Sequence, residues 1–509
     1  HGNSKEDIQD LLNDLQSMSK IPLLVAANCD SGGNGACSEG TYIASGAQAE
    51  AAGDLQVSYH AGLVSAREEK ALGVNVNFDP CVDILYNWRN TIVNTRAYGT
   101  DAETVIKYTN AYLDGLTAEN GENMEDGVIQ CIKHFPGDGT EERDQHLVLG
   151  VNELSPEEWR ASFGKVYQNH IDRGVEMIMA GHIAVPALQK ELNPALEDKD
   201  IMPATLAEEL IQDALKTELG FNGLVITDAT HMLGMTSAMR REDYVPKSIA
   251  AGCDMFLFFN NIEEDFGFML KGYQNGVITE ERLTDALRRI LGLKAKLHLP
   301  EKQANGTLLR TREDLNVIGC EEHLQWRAEA ADKGISLIKD TQNNLPINPV
   351  DHKRIRLYML EGEKGGITDN GSKAQQLFVD ELTKRGYEVT VNERGSRVKG
   401  ATLKYRDEVD FALEVADIAG YGAQNNYRIQ WSTAMANEVP WFVWEVPHAF
   451  VSLNFTTHLH DATMVKTFVN AYHNNEETIK QVIDKLEGKS EFKGGHNDLV
   501  WTDKWQAKL

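Results

Sequence analysis

Residues 133–146 read KHFPGDGTEERDQH and hold more chemically able side chains than any other stretch of the chain. Gly137, Gly139 and Pro136 make this a loop and not a helix. Near its end, Asp144 and His146 are separated by one residue. An Asp so placed can accept from one imidazole nitrogen and leave the other free. That fixes the tautomer and raises the basicity of the ring, the logic of an Asp–His pair in acid–base catalysis. A flexible loop is expected to deliver the pair over a bound substrate and exclude water. Glu141, Glu142 and Arg143 adjoin it, so the spacing alone also fits a solvated turn.

Other polar residues follow short apolar runs. The run at 21–27 leads to Asn28, Cys29 and Asp30, and the run at 73–78 to Asp79-Pro80, with Arg96 further on. The run at 128–132 leads to Lys133 and His134, that at 177–180 to His182, that at 223–227 to Asp228, and that at 255–259 to Asn260-Asn261. Taken singly each has a plain structural explanation. An Asp at a strand end is commonly a helix cap, and a lone His182 is commonly a satisfied core histidine. Together they supply what a pocket for a polyhydroxylated ligand needs, a charged or amide group for each hydroxyl.

Elements must bring these residues together. Apolar runs of strand length alternate with helical patterns at 101–119, 156–173, 204–218 and 280–297, as buried parallel strands in βα units do. The fold class is α/β. Residues 1–300 are expected to form a (β/α)8 TIM-type barrel whose active site lies at the carboxyl ends of the strands. The count of runs falls short of eight, so one barrel strand is expected before His1 or in irregular form. Residues 301–330 read as a linker, and 331–509 as a smaller α/β sandwich. Its strand candidates are 335–338, 354–360, 387–391, 416–420 and 441–446; its helix candidates are 372–385, 462–472 and 476–487. Trp431, Trp441, Trp444 and the segment 421–427 read as core and interface aromatics, with Arg428 as an alternative that reaches over the pocket.

Composition narrows the class. Hydrophobic residues are 42% and charged residues 25% of 509, which is globular. The formal charge of −27 disfavours nucleic acid and anionic lipid as partners. No run approaches the roughly 18 apolar residues of a membrane helix. The six cysteines include no CxxC pair; free, mostly buried thiols fit a reducing, cytoplasmic compartment. No dinucleotide fingerprint, P-loop, HExxH or EF-hand spacing is present, and no metal or other cofactor is expected.

The stretches KHFPGDG…DQH, GFNGLVITDATHM and AGCDMFLF together resemble glycoside hydrolase family 3, in its β-N-acetylglucosaminidase branch. GISLIKDTQNNLPI and the segment at 450–488 resemble that family's second domain, so the likeness spans the chain. The resemblance implies a catalytic nucleophile at Asp228, an acid/base at His146 with Asp144 as its partner, and substrate binding by Lys133, His134, Arg96, Asp30 and His182. It implies a retaining enzyme that cleaves terminal β-linked N-acetylglucosamine from an oligosaccharide or glycoside through a covalent glycosyl-enzyme, in a setting such as bacterial cell-wall recycling. Lys133 and Arg96 are expected to keep Asp228 ionised. Three alternatives stand beside this. One is phosphorolysis, since a neutral imidazole repels an anionic acceptor less than a carboxylate does. Another is a β-glucosidase on the same fold, its acid carboxylate supplied by the second domain. The third is a non-catalytic sugar-binding protein.

Overall fold

The computed structural model describes residues 3–362, 372–419, 422 and 426–509. The chain forms two compact units, one running to Gly46 and resuming over Leu55–Trp326, the other made of Ala47–Asp54 and Arg327–Leu509.

The first unit is built on a curled, all-parallel sheet of the (β/α) barrel type. Its strands are β1 (Ala26–Ala27), β2 (Val76–Asn77), β3 (Ile129–Phe135), β5 (Met177–Ala180) and β7 (Leu224–Thr227), hydrogen-bonded in that order. A parallel bridge from Ile226 to Met255 continues the sheet beyond β7. The apolar runs thus mark the strand positions. They read as continuous because both faces of the strands are covered: every residue of β5 and β7 is buried. On one face Ile129, Cys131, Met177, Met179, Leu224 and Ile226 form a single cluster, as the period of two along a strand requires. Leu293 and Leu297, at the end of the helix Glu280–Lys296, close that cluster. A second, two-stranded pairing joins β4 (Gly150–Val151) to β6 (Ile183–Ala184).

The register sets the site. Cys131 of β3 lies opposite Met177, and Ala180 of β5 opposite Thr227. The ladder continues one step past the strands: Gly181 N–H donates to Phe135 O (2.7 Å) and Asp228 N–H to Ala180 O (2.8 Å). Residues that follow β3, β5 and β7 therefore emerge at one end of the sheet. Within the stretch expected to be a linker lie the helix Leu299–Asn305 and the start of the helix Glu321–Gly334.

The second unit has a six-stranded sheet: β8 (Ser336–Asp340), β9 (Arg354–Glu361), β10 (Glu388–Val391), β11 (Phe411–Asp417), β12 (His448–Ser452) and β13 (Thr467–Asn470). Their order is β10-β9-β11-β12-β13-β8, parallel except for β8 at the edge. The parallel strands follow a doubly wound order, with apolar clusters around Phe378 and around Phe450. Three expected elements differ. Residues 441–446 are turns instead of a strand, and the strand begins after Pro447. Residues 462–472, expected to be helical, contain β13; its four residues, TFVN, are all buried and demand pairing on both sides. The expected strand at 416–420 is the tail of β11, with Gly420 outside the described residues.

Candidate functional site

The end of the sheet where β3, β5 and β7 finish gathers three imidazoles around Asp228. The half-buried Asp228 carboxylate accepts from the N–H of Ala229 (2.7 Å). Burial opposes its charge, but His134, His182, the Ala229 N–H and His146 together hold its pKa below the ordinary carboxylate range. These are imidazoles, where Lys133 and Arg96 were expected. Lys133 is instead committed elsewhere: its Nζ donates to Asn28 Oδ1 (2.8 Å) and pairs with Asp79 Oδ1 (2.8 Å), with both partners of the pair buried. Arg96 Nε donates to Asp30 Oδ2 at 2.6 Å. Both side chains of that pair keep about a quarter of their surface exposed, 24% and 22%. Burial opposes the charge on Asp30, but Arg96 and Lys133 pull its pKa well below the usual range. Burial and the charge on Asp30 push Asp79 up to about 7.

His134, at the penultimate position of β3, is buried and gives its Nδ1–H to Asp83 Oδ2 at 2.7 Å. The other oxygen of Asp83 accepts from the backbone N–H of Asp138 (2.7 Å). Asp83 is wholly buried, and His134 and these donors overcome its burial and lower its pKa. Cys81, Asp83 and His134 could each turn a ligand atom toward one point. In this structure Cys81 Sγ and His134 Nδ1 both hydrogen-bond to Asp83, and burial pushes the Cys81 thiol far up, so the three satisfy one another.

The loop 136–149 places His146. Asp144 Oδ1 accepts from both the Nδ1–H (2.6 Å) and the backbone N–H (2.8 Å) of His146. The Asp144 side chain is fully buried, whereas that of His146 is 35% exposed, so the carboxylate lies behind the ring. Burial depresses the His146 pKa, but Asp144 and then Asp228 outweigh it and raise the pKa above its ordinary value. Asp228 and His146 thus each stabilise the other's charged form.

The loop is not the free flap its composition suggests. The carbonyls of His146 and Gln145 accept from the N–H groups of Leu233 and Gly234, both at 3.0 Å. Gln145 Oε1 accepts from the His182 N–H at 2.7 Å. Gly234 is packed so closely that a Cβ there would stand 2.8 Å from Gln145 O and from His182 Cβ. Gly139, at the near end of the loop, has φ +106° and a Cβ position 2.1 Å from Ile84 O, so only glycine fits.

His182, expected among the substrate-binding residues, has both ring nitrogens engaged by the protein. It is completely buried, its Nε2–H donates to Ala229 O (2.9 Å), and its Nδ1 accepts from the hydroxyl of Thr205 (2.9 Å). Burial pushes its pKa down, and its Nε2–H holds the backbone beside Asp228. Asp83, Gln145 and Thr205 are the residues that sequence reasoning missed. Asp83 had one signal, an acid inside the apolar stretch CVDIL that must find a partner to be buried.

In the second unit, Arg428 pairs with Asp461. Trp431 and Trp441 pack against apolar clusters, whereas Trp444 is 74% exposed. Of the segment 421–427, Tyr427 is buried, and Tyr421 lies outside the described residues. All six cysteines are free, five of them buried. Among the described residues no helix is long and apolar enough to cross a membrane.

Comparison with known proteins places this geometry. The family model described as "Glycosyl hydrolase family 3 N terminal domain" matches residues 3–293. A protein of Cellulomonas fimi named "Beta-N-acetylglucosaminidase/beta-glucosidase" is 39% identical over 97% of this chain and 86% of its own length. A solved structure described as "Beta-glucoside phosphorylase BglX" superposes with a TM-score of 0.93 at 37% identity, covering 100% of this chain and 90% of its own. The fold is shared more distantly with a family 3 β-N-acetylglucosaminidase from Paenibacillus sp. str. FPU-7, at a TM-score of 0.75 and 21% identity over 97% and 90% of the two chains.

Proposed function

The chain belongs to glycosyl hydrolase family 3 and is an enzyme acting on glycosidic bonds, and from that premise we propose that it is a retaining β-N-acetylglucosaminidase. The observation that carries this reading is the pairing of a low-pKa carboxylate, Asp228, with a raised-pKa imidazole, His146, each favouring the other's charge. A retaining glycosidase needs an ionised nucleophile and a protonated acid in the same resting enzyme. Asp228 attacks the anomeric carbon and the bond to the leaving oxygen breaks. His146 delivers its Nε2 proton to that oxygen, becoming neutral. The neutral ring then takes a proton from water as it attacks the glycosyl-enzyme, releasing the sugar with its configuration retained.

Asp144 holds the tautomer throughout, because its carboxylate accepts from Nδ1 and leaves Nε2 for the substrate. His134, Lys133, Arg96 and Asp30 offer donors and acceptors to sugar hydroxyls, with Asp83 orienting His134. His182 acts through the backbone as a positioning residue. The relative from Cellulomonas fimi, whose name joins N-acetylglucosaminidase and glucosidase, supports terminal β-linked N-acetylglucosamine as a substrate, with β-glucosides beside it.

A second reading, phosphorolysis, is favoured by a specific observation. With Asp144 buried behind His146, the acceptor side of the glycosyl-enzyme presents a neutral imidazole and not a carboxylate, and the 37%-identical structure described as a phosphorylase spans the whole chain. The two readings share every step up to the glycosyl-enzyme. The test is a rate assay on p-nitrophenyl β-N-acetylglucosaminide and β-glucoside, with and without phosphate, beside Asp228→Ala. Hydrolysis predicts free sugar and a rate indifferent to phosphate. Accumulation of sugar 1-phosphate would replace hydrolysis by phosphorolysis, and full activity in Asp228→Ala would remove the nucleophile assignment.

A further inference from the structure

The second unit contains a cavity of about 260 Å³ that the reaction at Asp228 leaves unused. Arg356 and Tyr358, alternate residues of β9, form one wall, and the segment after β10 with the helix Thr402–Glu408 forms another. Alternate residues of a strand share a face, so both side chains rise from the same side of the sheet.

The cavity is basic in a chain that is strongly acidic. Arg356, Arg397 and Lys399 line it, and among the described residues none of the three has a carboxylate partner. Lys404 and Glu408 also line it, 3.6 Å apart, so the one carboxylate of the lining faces a lysine of its own. With 77 acidic side chains against 50 basic ones, unpaired cations gathered at one concavity run against the composition of the whole surface. Among the described residues the buried Nε–H of Arg356 has no hydrogen-bond partner, and a buried donor favours an acceptor. Glu414, opposite Tyr358 on β11, does not supply the missing charge. Burial and the neighbouring Glu438 push its pKa well above the carboxylate range, which disfavours its charged form.

The remaining lining is suited to a sugar. The hydroxyls of Tyr358 and Tyr405 share a hydrogen bond of 2.9 Å, and the ring of Trp441 lies 4.8 Å from that of Tyr405. The amides of Asn392 and Asn437 bond each other at 3.2 and 3.1 Å and can exchange those bonds for hydroxyls. Guanidinium groups match phosphate oxygens in pairs, and an aromatic edge with amides matches the C–H and O–H groups of a pyranose. We propose that this cavity binds a phosphorylated monosaccharide, with the phosphate held by Arg356, Arg397 and Lys399 and the ring against Tyr405 and Trp441. The site is lined by residues of the second unit alone and stands whichever acceptor the enzyme uses.

The test is calorimetric titration of the full chain with glucose 6-phosphate, glucose and inorganic phosphate, with thermal unfolding followed in parallel. The wild type and Asp228→Asn are expected to bind one glucose 6-phosphate saturably and to melt at higher temperature with it. The double variant Arg397→Glu/Lys399→Glu, changed only at exposed positions, is expected to melt normally without ligand and to bind at least about tenfold more weakly, as loss of a charged hydrogen bond implies. Equal binding by the double variant, no binding by the wild type, or loss of binding in Asp228→Asn would overturn the site. Phosphate binding as tightly as the sugar phosphate would overturn the assignment of a sugar.

Discussion

Replacing Asp144 by Asn removes one negative charge from behind His146 while keeping the shape of the side chain. The carboxylate oxygen that accepts both the Nδ1–H and the backbone N–H of His146 becomes an amide oxygen able to accept the same two bonds. What is lost is the charge. A hydrogen bond to a charged group is worth about 1.5–3 kcal/mol and a neutral one about 1 kcal/mol. The imidazolium is therefore destabilised by about 0.5–2 kcal/mol, which corresponds to about 2- to 30-fold in any step that needs His146 protonated. The assay compares kcat/KM of Asp144→Asn on an aryl glycoside, whose leaving group departs without help, and on a sugar or alkyl glycoside that needs its proton. The loss should appear on the second and shrink on the first. Since Asp144 and Asp228 raise the pKa of His146, the alkaline limb of the pH profile belongs to this group, and it should move to lower pH in the variant. An unmoved alkaline limb with equal losses on both substrates would refute the acid role of His146, because Asp144 would then matter only to the fold.

Three further outcomes follow from the same geometry. His134→Gln removes a group that holds down the pKa of Asp228, so the acid limb of kcat/KM should move to higher pH, read from a pH series on the aryl glycoside. Gly234→Val places a side chain against Gln145 O and His182 Cβ; overpacking of about 1–3 kcal/mol should displace the loop and lower kcat by about tenfold or more, while thermal unfolding reports whether the fold survives. His448 and His458 are buried in the second unit, and desolvation pushes both down to about 4. Their folded pKa values are lowered, so the stability they allow is present above about 6.5, the unfolded value, and is lost as pH falls toward 4. Melting temperature should drop across that window, and His458→Gln should flatten the drop.

The parts of the molecule that were legible in the sequence are those whose signal is local. The strands of the first unit are buried on both faces, so each reads as an unbroken apolar run, and the acids and histidines at their ends are read with them. Asp144 and His146 meet across two residues, and the chain itself announces the pair. The Asp83–His134 bond spans 51 residues, and nothing near Asp83 in sequence names its partner. His182 was legible as a strand-end residue but not in its role, because Thr205 and the Ala229 carbonyl that occupy its ring arrive from other elements. In the second unit β11 carries the buried Glu414 at its centre, which broke the apolar run and displaced the expected strand. Residues 462–472 hold no glycine or proline to break a helical reading, and the neighbours β12 and β8 decide the matter.

The covalent intermediate on Asp228 is the central claim. The direct measurement is to inactivate the enzyme with a 2-deoxy-2-fluoro β-glycoside bearing a good leaving group, digest it, and locate the added sugar by mass spectrometry. The account predicts one sugar per chain, carried on the peptide containing Asp228, and none in Asp228→Asn. A label on another residue, or a product of inverted configuration released without any labelled enzyme, would contradict it.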